Sequence, residues 1–263
     1  MLIEAQGGED KAKYGNALIK EYSEKLTNEI GRGYTFSALS RMRQFYLLSE
    51  KIATLSQQLT WSHYCELLVF DNVDEINYYI KQTEIYNLSV RELREKIKSK
   101  EYQRLDDNTK LKLINKEETV VSNFIKNPIV IRNKYNIDKE SITEKILQRL
   151  ILEDIPSFLK ELGEGFTFVE NEYKIKIGNT FNYIDLLLYN IKFNCYVVIE
   201  LKVTELKKEH IGQIQIYMNY VDKNIKTINQ DKTIGVIICK KDNGYYIEYS
   251  SDNRIFSKNY ILS

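Results

Sequence analysis

Two apolar runs in the second half of the chain are each interrupted by charge. No other feature limits the fold as much. They are Tyr183-Ile184-Asp185-Leu186-Leu187-Leu188 and Val198-Ile199-Glu200-Leu201-Lys202. Short runs of Val, Ile and Leu read as buried strands, and a buried strand has no packing reason to hold a carboxylate. Side chains two apart on a strand share a face, so Glu200 and Lys202 point together while Leu201 points into the opposite layer. Asp185 precedes Glu200 by 200 − 185 = 15 residues. That is a hairpin's length, with Asn190 and Lys192 in its turn, and such a hairpin can set Asp185 beside Glu200.

The surrounding pattern extends this into an α/β core. After Gly165 the period changes from helical to alternating: Phe166, Phe168, Tyr173, Ile175 and Ile177 belong to one or two strands, followed by strands over Phe181–Tyr189 and Cys195–Val203. A helix is expected over about Lys208–Val221, then strands over Thr233–Cys239 and Tyr245–Ser250. Upstream, Ser141 and Glu144 have capping-box spacing for a helix reaching Leu162. Pro156 either kinks it or divides it in two, and Gly163 stops it.

The first half reads as helical throughout. Leu18, Tyr22, Leu26 and Ile30 recur at helical spacing until Gly31 and Gly33 break the run. Thr35 or Ser37 can cap the next helix, which carries Leu39, Met42, Phe45 and Tyr46. Further helices are expected to start near Thr60, Asn72 and Ser89, the last with Glu92 completing a capping box. The polar stretch from Asp106 to Asn127 reads as a connector with a helix over about Lys116–Ile125, ended by Asn127-Pro128. The expected architecture is therefore α+β: an all-helical N-terminal domain over 1–115, then a mixed α/β domain over 116–263.

Composition narrows the chemistry. With 38 basic and 37 acidic residues the net charge is +1, so whole-chain charge argues neither for nor against nucleic acid. Three scattered cysteines and two histidines cannot supply a structural zinc site. They fit free thiols in a reducing cytoplasm. No apolar run is long enough to span a membrane, and the expected location is cytoplasmic. The 20 tyrosines are read mainly as half-buried packing residues rather than base-stacking platforms.

Two carboxylates and an ammonium in one cleft have a chemical use. Asp185 and Glu200, with a backbone carbonyl and waters, are hard oxygen donors suited to Mg²⁺ or Mn²⁺. Such an ion stabilises charge on a phosphodiester and acidifies water, and Lys202 can orient that water or neutralise the phosphate. A buried carboxylate–lysine pair without chemistry reads the same three residues equally well.

Asp185…Glu200-x-Lys202 on adjacent strands resembles the PD-(D/E)xK nuclease superfamily, and the surroundings resemble its YhcG-type nucleases (formerly DUF1016). The stretches that carry the likeness are Phe158-Leu159-Lys160-Glu161-Leu162-Gly163-x-Gly165-Phe166-x-Phe168-Val169, Ile184–Tyr189, Val198–Lys202 and Gly212-Gln213. In the first half they are Ala12-x-Tyr14-Gly15, Arg41-Met42-Arg43-x-Phe45-Tyr46 and Trp61-Ser62-His63-Tyr64. The resemblance implies a restriction-endonuclease-like fold and a metal-dependent nuclease acting on DNA. It makes Asp185, Glu200, Lys202 and Gln213 catalytic, with Asp185 and Glu200 holding the metal. It also implies a DNA-binding, helix-turn-helix-like first domain, expected to be short at its N-terminus. Where the family's long helix is expected to carry a glutamate, this chain has Gln148, with Glu144 and Glu153 nearby.

Other residues are weaker candidates. Arg41 and Arg43 follow a glycine turn and open a helix, as in a DNA-reading element, although a solvated basic face reads the same way. Lys207 and Lys208 start the helix beside the site and can meet phosphates. Tyr217 shares a helix face with Gln213 and reads as packing. Glu172 reads more readily as an exposed strand carboxylate than as a metal ligand, and His63 as a structural histidine. A nuclease fold that binds DNA or protein without cutting is the alternative, and a helical adaptor whose α/β half mediates dimers is the weakest reading. A homodimer is among the expected assemblies.

Overall fold

The helical period of the first half becomes five helices in the computed structural model, which describes residues 12–52, 55–115, 117, 119–242 and 244–263. They are α1 (Ala12–Glu29), α2 (Phe36–Ser49), α3 (Trp61–Leu67), α4 (Val73–Tyr86) and α5 (Val90–Lys98). Each start from α2 onward has a local cause. Thr35 accepts a hydrogen bond from the Ala38 N–H, Asn72 accepts from the N–H groups of Asp74 and Glu75, and Ser89 forms a reciprocal box with Glu92. His63 belongs to such a cap. Its Nδ1 accepts from the Thr60 N–H at 3.1 Å and its Nε2 donates to the Leu88 carbonyl at 3.0 Å, so it ties α3 to the α4–α5 turn. Leu67, Tyr79 and Leu93 are fully buried at the centre of these helices, and Phe70 stacks on Tyr79.

The chain divides into two compact units, Met1–Tyr102 and Gln103–Ser263. The second begins with α6 (Asp107–Asn115), where Asp106 caps the Thr109 N–H at 2.8 Å. The fully buried Thr109 hydroxyl in turn accepts from Asn123 at 3.1 Å. The helix expected over Lys116–Ile125 does not form. Only a 3-10 turn at Val121–Phe124 occurs there, with Asn123 Oδ1 taking the Val120 N–H; Lys116 and Glu118 lie outside the described residues. The segment from Ser141 to Leu162 is two helices, α7 (Glu144–Leu152) and α8 (Ile155–Leu162). Thr143, rather than Ser141, caps α7. Asp154 caps α8 with Pro156 in its first turn, where no amide is missed. Gly163, at φ 110°, ends α8.

Six strands form one sheet: β1 (Ile129–Ile131), β2 (Phe166–Ile177), β3 (Thr180–Asn190), β4 (Cys195–Glu205), β5 (Asp231–Lys241) and β6 (Ile255–Leu262), in the order β1-β6-β5-β4-β3-β2. β2, β3 and β4 are antiparallel neighbours, and β4, β5, β6 and β1 are parallel ones. The crossover from β4 to β5 is α9 (Lys208–Asn224). Leu186, Leu188, Val197, Ile199 and Leu201 pack with α7 and α8, while Leu187 and Val198 pack with Ile214, Met218 and Val221 of α9. Each such fully buried side chain contributes roughly 1.5–3 kcal/mol. At Gly235 on β5 a β-carbon would lie 2.5 Å from Met218 Sδ and 2.9 Å from Ile214, so any larger residue there would require those two α9 side chains to shift.

The strand expected over Tyr245–Ser250 is instead a short helix, α10 (Gly244–Glu248). Its apolar alternation is not an alternation of burial: Tyr245 and Tyr249 are 72% and 81% exposed. β6, which sequence reading missed along with β1, takes the place next to β5, and β1 lies beyond it at the sheet edge. Cys195 and Cys239 are buried on opposite sides of the sheet, and both they and Cys65 are free thiols.

Candidate active site

The sheet forks at the charged residues. The β3–β4 ladder runs from Asn190↔Cys195 to Leu186↔Ile199 and stops. The next pair in register would be Asp185 and Glu200. Beyond that point β3 pairs only with β2, and β4 continues along β5, with Glu200 opposite Ile237 and Lys202 opposite Cys239. Strands that part leave backbone groups to be satisfied, and here Asp185 Oδ2 accepts the Leu201 N–H at 2.8 Å. The side chain thereby closes the angle of the fork and brings the Asp185 carboxylate alongside β4.

Glu200 is 2% exposed. Its Oε1 accepts from Lys202 Nζ at 2.8 Å, while its Oε2 is buried without a hydrogen-bond partner. Burial, with the Asp185 charge beside it, pushes the Glu200 carboxyl up to about 7 against the pull of Lys202. Burial also raises Asp185, opposed by the Leu201 N–H and Lys202. Burial alone would lower Lys202, but the hydrogen bond and charge of Glu200, with Glu144 and Asp185, outweigh it and hold the ammonium above its ordinary value. Lys202 therefore carries a proton at neutral pH.

Helix α7 closes one side. Gln148 donates from Nε2 to the Asp185 carbonyl at 3.1 Å. One turn earlier on the same face, Glu144 Oε2 lies 3.7 Å from Lys202 Nζ. An open cleft of ≈ 420 Å³ between α7 and β2 is lined by Thr143, Ile146, Gln148, Asn171 and Glu172 among others. Glu172 is exposed, sits opposite Asp185 in register and takes a left-handed φ of 50°. Its charge is among those that raise Asp185.

Helix α9 closes another side. Gln213 Nε2 donates to the Tyr217 hydroxyl at 3.0 Å. Burial first, then the Glu200 and Asp185 charges, raise that hydroxyl's pKa. The predicted Gln213 thus bonds to Tyr217, which is itself buried and within reach of both carboxylate charges. His210, not singled out from sequence, caps α9 by accepting the Lys207 N–H at 3.2 Å; burial and the Lys202 and Lys207 charges push it down. Lys207 and Lys208 are exposed at the start of α9. Arg41 and Arg43 belong to the other compact unit. They do not open their helix: α2 starts five residues before Arg41, at Phe36, because Thr35 supplies the cap. Arg41 is exposed and Arg43 half-buried.

The donor set at the fork fits a hard divalent cation. It offers two carboxylates, one with an unmet buried oxygen, and no sulfur or imidazole ligand. Among the described residues no three His, Cys, Asp or Glu side chains come together as a ligand group, so backbone carbonyls and water would have to complete the shell.

Residues 122–262 match the family model described as the YhcG PDDEXK nuclease domain, and residues 1–104 match the DUF1016 N-terminal domain. A curated relative, "Putative nuclease YhcG" of Escherichia coli (strain K12), is 27% identical over 272 aligned residues, covering 89% of this chain and 72% of its own length. Among solved structures, a repair endonuclease from Pyrococcus abyssi is similar over 45% of this chain and 47% of its own, at 16% identity and TM-score 0.33. A complex titled EndoMS-dsDNA2 is similar over 47% and 48%, at 19% identity and TM-score 0.34. This chain thus spans just under half the length of each of those two. No helix among the described residues is long and apolar enough to cross a membrane.

Proposed function

The chain belongs to the YhcG PDDEXK nuclease family, and from that premise we propose that it hydrolyses phosphodiester bonds of DNA with the aid of Mg²⁺ or Mn²⁺. The observation that carries this reading is the unmet Glu200 Oε2, buried beside Asp185 at the fork of the sheet. A buried carboxylate oxygen without a partner is costly, and a cation held by Asp185 and Glu200 would relieve that cost. A divalent ion in that place supplies positive charge to the phosphate and lowers the pKa of water.

The chain's own residues do the rest. Lys202, protonated and fixed by Glu200, neutralises charge developing on the phosphate and orients the attacking water; its raised pKa argues against a role as the base. Gln148 holds α7 against the Asp185 carbonyl and keeps the cleft wall in place. Gln213, with Tyr217 behind it, orients water or substrate from the α9 side. Lys207 and Lys208 meet flanking phosphates, and Arg41 and Arg43 of the helical unit bind DNA.

Labelled DNA is expected to be cut by the purified protein with Mg²⁺ or Mn²⁺ and left intact with chelator, with RNA of matched sequence as the comparison. Lys202→Ala should slow cleavage by about 10²- to 10³-fold; a rate equal to wild type would overturn the mechanism. One observation favours a second reading, a nuclease fold that binds without cutting: α7 presents an amide, Gln148, to the Asp185 strand, and among the described residues no third carboxylate joins Asp185 and Glu200 as a ligand group. Calorimetry that detects no Mg²⁺ or Mn²⁺ binding would favour it.

A further inference from the structure

Beyond the fork, β2 and β3 continue as a two-stranded ribbon, with no third strand beside them among the described residues. Its register pairs Lys174 with Tyr183 and Lys176 with Phe181. Cross-strand partners, and residues two apart along one strand, share a face, so these four side chains form one patch. All four are exposed, Phe181 by 55% and Tyr183 by 52%. Lys174 Nζ lies 3.9 Å from the centre of the Phe181 ring and Lys176 Nζ lies 5.9 Å from it. The other face carries Ile175 and Ile184, buried with Ile214 and Met218 of α9, so the ribbon is anchored and the patch is presented outward. From Tyr173 to Ile184 the ribbon contains two lysines and no acidic residue. The patch grows directly from the site: Tyr183 is two residues from Asp185, and Lys174 two from Glu172.

Exposed aromatics on a short ribbon have no packing reason to be there, and next to a phosphodiester site they have a chemical one. We propose that this ribbon grips a single-stranded flank of the nucleic-acid substrate, with Lys174 and Lys176 on phosphates and Phe181 and Tyr183 stacked on bases. The proposal rests on the nuclease reading of the adjoining site. Rings bind bases only when the bases are unstacked, so the patch favours a frayed or single strand over a closed duplex.

The test is fluorescence anisotropy of the full chain in chelator, where no cutting occurs, with single-stranded and blunt duplex DNA. Phe181→Ala and Tyr183→Ala should each weaken single-strand binding by about 5- to 100-fold, the range of one base–aromatic stack, and leave duplex binding within about twofold. Phe181→Trp should restore it. Lys174→Gln with Lys176→Gln should weaken both DNAs and reduce the slope of log affinity against log salt by about 1.4 on the single strand. Thermal melting should be unchanged, since all four side chains are on the surface. Wild-type single-strand affinity in the two aromatic variants, an equal loss on duplex, or no binding of single strands by the wild-type chain would each overturn the proposal. A parallel assay with Mg²⁺ separates the two readings. Ribbon-dependent binding without cleavage defeats the nuclease mechanism alone, and cleavage with no ribbon effect on binding defeats the ribbon alone.

Discussion

Two glutamates in the same α/β unit, Glu200 buried and Glu161 half-buried, are treated in opposite ways. Glu161 on α8 faces Arg104, which forks onto both its oxygens, with Lys126 at 3.7 Å and the Val130 N–H at 3.0 Å. Burial would raise its pKa, but these partners outweigh burial and hold it below the ordinary range. Glu200 has one lysine, one neighbouring carboxylate and one oxygen left over, and is pushed up to about 7. A carboxylate that only holds the fold together is saturated with donors. One left with an unmet valence in a cleft is positioned to bind something.

The largest effect that would sharpen this contrast is on stability. Glu161→Gln should cost about 3–5 kcal/mol, because Arg104 and Lys126 would remain buried without their counter-charge. Chemical denaturation reads this, and the cleavage rate per folded molecule should be unchanged. A loss below about 1 kcal/mol would place Glu161 among exposed pairs of little consequence.

Next, the two glutamates should respond to pH with opposite sign in metal-free protein. Glu161 is depressed on folding, so its contribution is present above the ordinary glutamate pKa and is lost as pH falls through the folded value. Glu200 is raised, so the cost of ionising it is absent below about 4.5 and grows as pH rises through about 7. Glu200→Gln should therefore stabilise the metal-free chain at pH 8 by about 1–3 kcal/mol while abolishing cleavage. Added Mg²⁺ should raise the melting temperature of wild type but not of the variant. Equal melting curves for the two proteins at pH 8 would break the comparison.

The smallest effect concerns Gln148. Gln148→Ala removes one hydrogen bond to the Asp185 carbonyl, worth about 1 kcal/mol, and should slow cleavage by about fivefold. Gln148→Glu tests the other reading: if calorimetry shows Mg²⁺ binding strengthened by the added carboxylate, this helix position faces the metal.

What the sequence made legible follows from where pattern and packing agree. Asp185, Glu200 and Lys202 stood out because charge inside an apolar strand is conspicuous, and β3, β4 and α9 could be placed from period alone. The caps at Asn72 and Ser89 were local and therefore readable. β6 was not, because Ser257, Lys258 and Asn259 break its apolar run; Lys258 is nonetheless buried, at 8% exposure. Tyr245–Ser250 misled because tyrosine supplies strand propensity without burial. Glu161 gave no signal at all: its partners Arg104 and Lys126 are 57 and 35 residues away (161 − 104 and 161 − 126). Such pairing is written in tertiary contact rather than in spacing.

The close seating of α9 on β5 at Gly235 has a consequence for variation in this chain. Any side chain at position 235 must wedge Met218 and Ile214 outward, and those two residues flank Tyr217 on the helix that also carries Gln213. A survey of variants with altered cleavage is then expected to return position 235 as well as the charged residues of the fork. It would do so for want of clearance, with every reacting group still in the chain.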